Sequence, residues 1–232
     1  MDSSILKNVH LFSDLNEDEL DKIYSRCDIR TYNKGEIIFF DTEPYQGFYI
    51  VVEGGVKIFK ISKDGREHIL YFIYPFNIFA EVPLLEQYEK IINDEFSYPA
   101  NSMAMTDNTK LILIRSSVFY NFVEKNGKVC LKMLSSLAKK LRHLNNHIET
   151  ITQDVPKRLA KYILSEHNKN PIKQNSSIEL TISKHDLASY LGTIDETLSR
   201  VLKKFQDEKL IVVKGKKILI KDKQALVKIS SI

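Results

Sequence analysis

The side chains best suited to chemistry stand close together near the C-terminal end of the chain, within one predicted helix. Glu196, Ser199 and Arg200 are spaced by three residues and one residue, so they lie on one side of a helix. An arginine can grip guanine through O6 and N7, a serine can bond several bases, and a glutamate can accept from cytosine N4. Lys203 and Lys204 suit contacts with phosphates. The set predicts a surface that reads the bases of DNA.

Two helices joined by a tight turn must position these side chains. Ser183 with Asp186 forms an S-x-x-D helix start. Gly192 ends that helix, because glycine tolerates the left-handed turn that a helix-turn-helix requires. Thr193 with Glu196 predicts a second capping box at the start of the next helix. The small shared core is predicted from Leu187, Ala188, Leu191, Leu198 and Val201.

A hairpin with a basic tip follows the second helix. The apolar runs 211–213 and 218–220 flank Lys214, Gly215, Lys216 and Lys217, and together the pieces predict a winged helix-turn-helix. The structural alternatives stay open: Glu196 as a capping carboxylate only, Arg200 as a solvated charge and Ser199 as a small packing residue. The predicted DNA contacts are Ser183, Thr193, Glu196, Ser199, Arg200, Lys203, Lys204 and Lys216.

The charge distribution agrees with this prediction. The net charge is +4, but residues 155–232 carry 16 Lys and Arg against 8 Asp and Glu, which is +8. Residues 1–154 carry 18 against 22, which is −4. A weakly acidic part joined to a small basic part indicates that the C-terminal segment meets a polyanion.

Length and composition set the broad class. The chain has 232 residues, of which 43% are hydrophobic and 28% charged, so a globular protein of two modest domains is expected. We find no apolar run long enough for a transmembrane helix and no signal-like N-terminus, which predicts a cytoplasmic protein with no membrane partner.

Cys27 and Cys130 are far apart, which argues against a disulfide scaffold and a zinc site. Nucleophile elbows, phosphate loops and H-E-x-x-H motifs are missing, so no enzyme and no catalytic residue are predicted.

The region from 28 to 115 reads as a set of short strands. Asp64-Gly65 marks a tight hairpin, because glycine tolerates positive φ. Before it, Asn16 is a predicted helix cap. Short strands at this spacing indicate an antiparallel sandwich or barrel able to hold one small ligand. The predicted strands are 36–40, 47–53, 55–61, 67–73 and 110–115.

A long helix with a narrow apolar seam follows. The seam runs from Cys130 to Ile151 with alternating spacings of four and three residues, whereas Lys139, Lys140 and Arg142 lie off it. A seam this narrow favours pairing with a second copy of the same helix, so we predict a homodimer. The alternative is a helix packed on its own barrel. The central seam residues are Leu134, Leu137, Leu141, Leu144 and Ile148.

The whole chain resembles the CRP/FNR family of bacterial transcription regulators. The most specific match is the run 187–200, which contains the E-x-x-S-R pattern of the FNR-like branch, and 34–39, 49–54 and 64–67 are similar to the family's cyclic-nucleotide-binding β-roll. The resemblance implies an α+β fold: a β-roll that senses an effector in 1–125, a dimerisation helix in 126–153 and a winged helix-turn-helix in 154–232. It also implies that Glu196, Ser199 and Arg200 read a TTGA-type half-site in palindromic double-stranded DNA, and that the protein contacts RNA polymerase.

The effector pocket departs from the family pattern. Relatives that bind cyclic nucleotides use a G-E-L-type turn and an R-S or R-T pair; here Ala80 replaces the glycine, Tyr98 replaces the arginine and Pro99 follows it, while Glu81 is kept. A phosphate buried without a cation is costly, so we predict that cyclic AMP is not the effector. The iron–sulfur cysteines of the FNR branch are also missing.

What the pocket holds instead is left open by the sequence. An apolar ligand, a haem with His68, His143 or His147 as axial ligand, and a simply filled core are the alternatives. A competing hypothesis is a small-ligand or haem sensor whose C-terminal domain contacts protein rather than DNA. The predicted pocket residues are Tyr71, Phe79, Glu81, Leu84, Tyr98 and Asn101.

Overall fold

The computed structural model describes residues 2–86, 96–123, 126–151, 153–169 and 177–231, without the side chains of 143, 146–151 and 169. The chain divides into two compact units, Met1–Leu141 and Arg142–Ile232. The division falls inside the long helix α4 (Gly127–Ile151). The three-part division at 125 and 153 stays a prediction.

The first unit is built on two antiparallel four-stranded sheets. The strands are β1 (Asp28–Tyr32), β2 (Ile37–Phe39), β3 (Gly47–Glu53), β4 (Val56–Ile61), β5 (Glu67–Ile73), β6 (Ile78–Phe79), β7 (Asn101–Ala104) and β8 (Thr109–Arg115). The strand order is β1-β8-β3-β6 in one sheet and β2-β7-β4-β5 in the other. Two 3-10 turns (Ser3–Asn8, His10–Phe12) and the helices α1 (Glu17–Tyr24), α2 (Val82–Glu86) and α3 (Ser116–Val123) accompany the sheets.

Strand β3 is buried on both faces and separates two cores. Because side chains alternate along a strand, Phe48 and Ile50 join one core with the N-terminal turns, α1, α3 and the start of α4. Tyr49 and Val51 join the other core, which lies between the two sheets. The predicted pocket residues Phe79 and Tyr98 belong to this second core.

The second unit contains the helix-turn-helix and the wing. The elements of this unit are α5 (Val155–Lys169), β9 (Ser177–Glu179), α6 (Lys184–Tyr190), α7 (Asp195–Asp207), β10 (Ile211–Lys214), β11 (Lys217–Ile220) and α8 (Lys223–Ser231). The three strands form an antiparallel sheet with the order β10-β11-β9, and α8 packs against α5.

The α+β architecture predicted from the sequence is therefore confirmed, and the structure adds elements that the sequence pattern did not indicate. Strands β1, β6 and β7 lack a clear apolar alternation: β1 is polar, β6 has two residues, and β7 buries Asn101 and Ser102. Asn16 forms the predicted cap, because its side chain accepts from the Glu19 backbone N–H at 2.9 Å.

Candidate nucleic-acid interface and ligand pocket

The turn between α6 and α7 is fixed by backbone geometry. Ser183 caps α6, since its Oγ accepts from the Asp186 N–H at 3.0 Å. Gly192 has φ +62°, which is the left-handed conformation predicted for it. The Thr193 N–H then donates to the Ala188 carbonyl at 2.9 Å. This bond closes the end of α6 and sets the direction in which α7 leaves.

The predicted capping box at the start of α7 is wrong. The residue at the N-cap is Ile194, which makes no side-chain cap bond, and the helix begins at Asp195 rather than directly after Thr193. Thr193 is still part of the turn, as its bond to Ala188 shows. The carboxylates of Asp195 and Glu196 instead lie in the first turn of α7, where they complement the positive end of the helix dipole.

Helix α7 has one apolar side and one polar side. Leu198, Val201, Leu202 and Phe205 are buried, and they hold the helix on the second unit. On the polar side, every residue predicted to contact DNA is exposed. Those residues are Glu196, Ser199, Arg200, Lys203 and Lys204.

The wing supplies a second basic surface. Strands β10 and β11 pair in register, and the Gly215 φ of +59° closes their turn. Lys216 is exposed at its tip. The Val213 N–H donates to Gln206 Oε1 at 3.0 Å, which ties the wing to α7. Basic side chains on the wing and on α7 are therefore held by one hydrogen-bonded framework.

Arg158 on α5 is a residue that the sequence reasoning missed. Its guanidinium donates to the carbonyl oxygens of Leu191 and Gly192, the latter at 3.2 Å. Burial lowers the pKa of Arg158 from its ordinary value, but an arginine starts so far above neutrality that it stays charged. Nothing near Arg158 in the sequence marks this role, because the carbonyls it binds lie more than thirty residues away.

We expect Arg158→Met to loosen the helix-turn-helix. Two carbonyl oxygens at the end of α6 would lose a charged donor, and hydrogen bonds to charged groups contribute about 2 kcal/mol. Amide hydrogen exchange at Gly192 and Thr193 should therefore accelerate about thirtyfold. Arg158→Lys is the matched control. Its exchange rates at Gly192 and Thr193 should lie between those of the wild type and of Arg158→Met, because lysine keeps the charge without the planar guanidinium. Unchanged exchange in Arg158→Met would show that the contact does not hold the turn.

In the first unit, aromatic rings fill the predicted pocket. The ring of Tyr98 is 2% exposed and stacks on Phe39 with centroids 3.8 Å apart. Its hydroxyl donates to the Gly47 carbonyl at 3.2 Å and accepts from the Gln46 N–H at 3.3 Å. Burial raises the pKa of Tyr98 above its ordinary value, so the ring is neutral. Tyr98 is therefore a stacked, uncharged side chain inside the core of the first unit.

Ala80 keeps the backbone conformation that a glycine would adopt. Its φ is +60°, which costs a non-glycine residue roughly 1–2 kcal/mol. Tyr45 helps to hold this turn, because its hydroxyl donates to the Ala80 carbonyl at 2.8 Å. The turn therefore has the glycine geometry with an alanine in place.

This strain gives a stability prediction. Ala80→Gly should raise the free energy of unfolding by about 1 kcal/mol, because glycine adopts positive φ without a steric penalty. Ala104→Gly in β7, where the backbone is extended and the side chain is 1% exposed, should lower it by about 1 kcal/mol. Thermal unfolding of both variants is the measurement. A loss of stability in Ala80→Gly equal to that of the Ala104 control would contradict the strain.

Glu81 is buried and ion-paired. Its carboxylate side chain is 2% exposed and accepts from the Nζ of Lys140 on α4 at 2.5 Å. Lys140 also donates to the Ile78 carbonyl at 2.9 Å and lies 6.0 Å from the centre of the Tyr71 ring. Burial raises the pKa of Tyr71, so this ring is neutral as well.

The remaining predicted pocket residues lie elsewhere in the first unit. Leu84 belongs to the core with the N-terminal turns, on the other side of β3 from Tyr98. Asn101 accepts from the Asp41 N–H at 3.0 Å and is 5% exposed. The structure thus brings together Phe79 and Tyr98 in one core, against which Tyr71 packs, and Lys140 links Tyr71 to Glu81. It does not bring all six residues around one ligand.

The seam of α4 leaves leucines uncovered in the single chain. Leu134 is 60% exposed and Leu141 is 62% exposed. Leu137 and Leu144 are half-buried, and the side chain of Ile148 lies outside the described residues. Leu131, which lies off the predicted seam, is also exposed, at 68%. The homodimer through this helix stays a prediction.

His68 lies exposed on β5, and the side chains of His143 and His147 lie outside the described residues. Among the described residues there is no group of three or more His, Cys, Asp or Glu that could hold a metal ion. Within the same ranges, none of the helices has the length and apolar character needed to cross a membrane. Burial raises the pKa of Cys27 to about 12, so its thiol is unreactive.

Comparison with known proteins identifies both units. Residues 29–126 match the family model of the cyclic nucleotide-binding domain, and residues 157–229 match that of the Crp-like helix-turn-helix domain. A CRP-like cAMP-activated global transcriptional regulator of Mycobacterium tuberculosis is 26% identical over 199 residues, which cover 84% of each chain. The cyclic AMP receptor protein of Thermus thermophilus is 26% identical over 206 residues, which cover 89% of each chain.

A solved structure shows the same fold. FixK2 from Bradyrhizobium japonicum superposes with a TM-score of 0.73 at 24% identity, covering 89% of this chain and 98% of FixK2. The fold is therefore shared over 89% of this chain. The chain belongs to the CRP/FNR family of DNA-binding transcription regulators.

Proposed function

We propose that this regulator is a homodimer that reads palindromic DNA with TTGA-like half-sites and is controlled without cyclic AMP. Contact with RNA polymerase, which the family resemblance implies, belongs to the same proposal. The proposal has two parts. The part on DNA recognition rests on residues of α7, and the part on the effector rests on residues of the first unit.

The exposed side of α7 supports the DNA part. Glu196, Ser199 and Arg200 are exposed, and they lie outside the apolar side of α7 that packs inward. In a TTGA half-site the guanine–cytosine pair offers O6 and N7 to an arginine and an N4 donor to a glutamate. Lys203, Lys204 and Lys216 then bind the phosphates on either side. Two copies related by a two-fold axis read two half-sites one helical turn apart, roughly 34 Å.

The ring of Tyr98 carries the effector part. A cyclic phosphate needs a charged donor when it is buried, and Tyr98 places a neutral ring stacked on Phe39 there. Its hydroxyl is already bonded to the backbone at Gly47. Glu81, the one pocket residue kept from the family pattern, is paired with Lys140. To bind here, cyclic AMP would have to displace both the ring of Tyr98 from Phe39 and Lys140 from Glu81.

Fluorescence anisotropy with a labelled palindrome tests both parts together. The full chain should bind a TTGA-containing palindrome in the absence of cyclic AMP and bind a scrambled duplex of equal length at least about a hundredfold more weakly. Adding cyclic AMP should leave both curves unchanged. Binding that begins only with cyclic AMP would refute the effector part, and equal affinity for both duplexes would refute the proposed half-site.

A further inference from the structure

The buried pair of Glu81 and Lys140 has the composition of a binding site for a primary ammonium group. The ammonium of Lys140 meets a carboxylate at 2.5 Å and a backbone carbonyl, that of Ile78, at 2.9 Å. The face of Tyr71 lies 6.0 Å away. An –NH₃⁺ group has three donors and no acceptor, so a carboxylate, a carbonyl and an aromatic face satisfy it in three different ways.

Burial makes the carboxylate dependent on this cation. The Glu81 side chain is 2% exposed, whereas that of Lys140 is 29% exposed. An ionised carboxylate that deeply buried is strongly destabilising when its partner is removed. Glu81 lies two residues after the end of β6, while Lys140 comes from a helix 59 residues further along the chain. The pair therefore ties α4 to the turn of the sheet domain that precedes α2.

The neighbouring lysine shows that this arrangement is specific. Lys139 is exposed on the same helix, whereas Lys140 is the lysine that meets Glu81. Helix α4 continues past Lys140 to Ile151, across the boundary between the two units. A group that holds α4 at Lys140 thus acts on the one helix that belongs to both units.

We propose that the first unit contains an ammonium-binding site, formed by Glu81, the Ile78 carbonyl and Tyr71, that the chain fills with its own Lys140. Lys140 is an internal ligand: it holds α4 on the sheets in the position that DNA binding needs, without a bound small molecule. The effect on DNA rests on the proposed function. The existence of the ammonium site does not depend on the proposed function, and thermal unfolding measures it separately.

Lys140→Ala with chemical rescue tests the site. The substitution removes three carbons and the ammonium, and n-propylammonium has these same atoms. The thermal midpoint of Lys140→Ala should fall, and it should rise again with n-propylammonium in a saturable manner. The wild-type protein and Lys139→Ala should show no such rise. 1-Propanol, which has the same carbon chain without the charge, should leave the midpoint of Lys140→Ala low.

DNA affinity provides the second readout. In the anisotropy assay Lys140→Ala should bind the palindrome at least about tenfold more weakly than wild type, and n-propylammonium should recover most of this loss. Lys140→Arg should stay close to wild type. Glu81→Gln should lose affinity without recovering it on addition of the amine, because the carboxylate that binds the ammonium is gone.

The outcomes separate the two proposals. A wild-type chain that binds no DNA would refute the proposed function, while the amine-dependent midpoint would still decide the ammonium site. If Lys140→Ala folds only with n-propylammonium, the site is supported. If the amine changes neither the midpoint, the folding nor the DNA affinity of Lys140→Ala, the internal-ligand proposal is overturned. Wild-type DNA affinity in both Lys140→Ala and Glu81→Gln overturns its link to DNA binding.

Discussion

Replacing Leu134 and Leu141 with aspartate should convert the proposed dimer into monomers and abolish tight binding to palindromic DNA. Both leucines are more than half exposed in the single chain, so the change should leave the fold of each unit intact. In a two-fold interface each substitution occurs twice. At about 2 kcal/mol for each buried leucine, the four lost side chains would contribute about 8 kcal/mol, and four opposed carboxylates would add repulsion.

Sedimentation velocity and the anisotropy assay measure the two consequences. A monomer engages one half-site only, so affinity for the palindrome should fall by at least about a hundredfold. Ser135→Asp with Lys139→Asp is the matched control, since both residues are exposed on α4 away from the seam. A double-aspartate protein that remains dimeric at micromolar concentration would show that α4 does not form the interface.

Replacing Arg200 with alanine should remove discrimination at one base pair rather than weaken binding to all DNA. The guanidinium is exposed on the polar side of α7, and a bidentate contact with guanine contributes about 1–3 kcal/mol to discrimination. The ratio of affinities for the TTGA palindrome and for one with the guanine changed should therefore fall by about fivefold to 150-fold.

Lys203→Ala is the variant with which Arg200→Ala should be compared. Lys203 lies on the same exposed side of α7, but its proposed contact is with phosphate. The substitution should lower affinity for both sequences by a similar factor and reduce the dependence on salt. If Arg200→Ala also lowers both affinities equally, Arg200 binds phosphate and does not read a base.

The sequence predicts the elements that have a clear hydrophobic pattern. Strands β3 and β5 were predicted with the bounds that the structure has, because their apolar residues form unbroken or alternating runs ended by glycine or charge. Helix α4 was predicted from its seam. By contrast, β7 has polar residues at its buried positions, Asn101 and Ser102. Tertiary packing, which no local pattern records, makes it a strand.

The candidate site was predictable to a similar extent. The residues of α7 follow from helical spacing, since one side must face the core and the other is then exposed. The start of α7 was not predictable, because the turn at Gly192 and Thr193 moves the cap to Ile194 despite a good capping pattern. The contacts of Arg158 with Leu191 and of Lys140 with Glu81 join residues distant in the chain. Spacing along the sequence cannot show them.

The turn at Ala80, the ring of Tyr98 and the buried ion pair are the features on which the proposed independence from cyclic AMP rests. Ala80 has a positive φ of +60°, and the carboxylate of Glu81, two residues after the end of β6, is paired with Lys140. In the proposed function Tyr98 stands where relatives that bind cyclic nucleotides carry an arginine. A region filled by aromatic rings and by a lysine is the arrangement expected of a regulator that cyclic AMP does not control.

Selection from a pool of duplexes with randomised sequence, using the full chain without any added effector, asks whether two copies place α7 into successive major grooves of symmetric DNA. We expect enrichment of two-fold-symmetric sites whose TTGA-like halves lie one helical turn apart. Enrichment of single, unpaired half-sites, or no enrichment at all, would contradict this placement of α7.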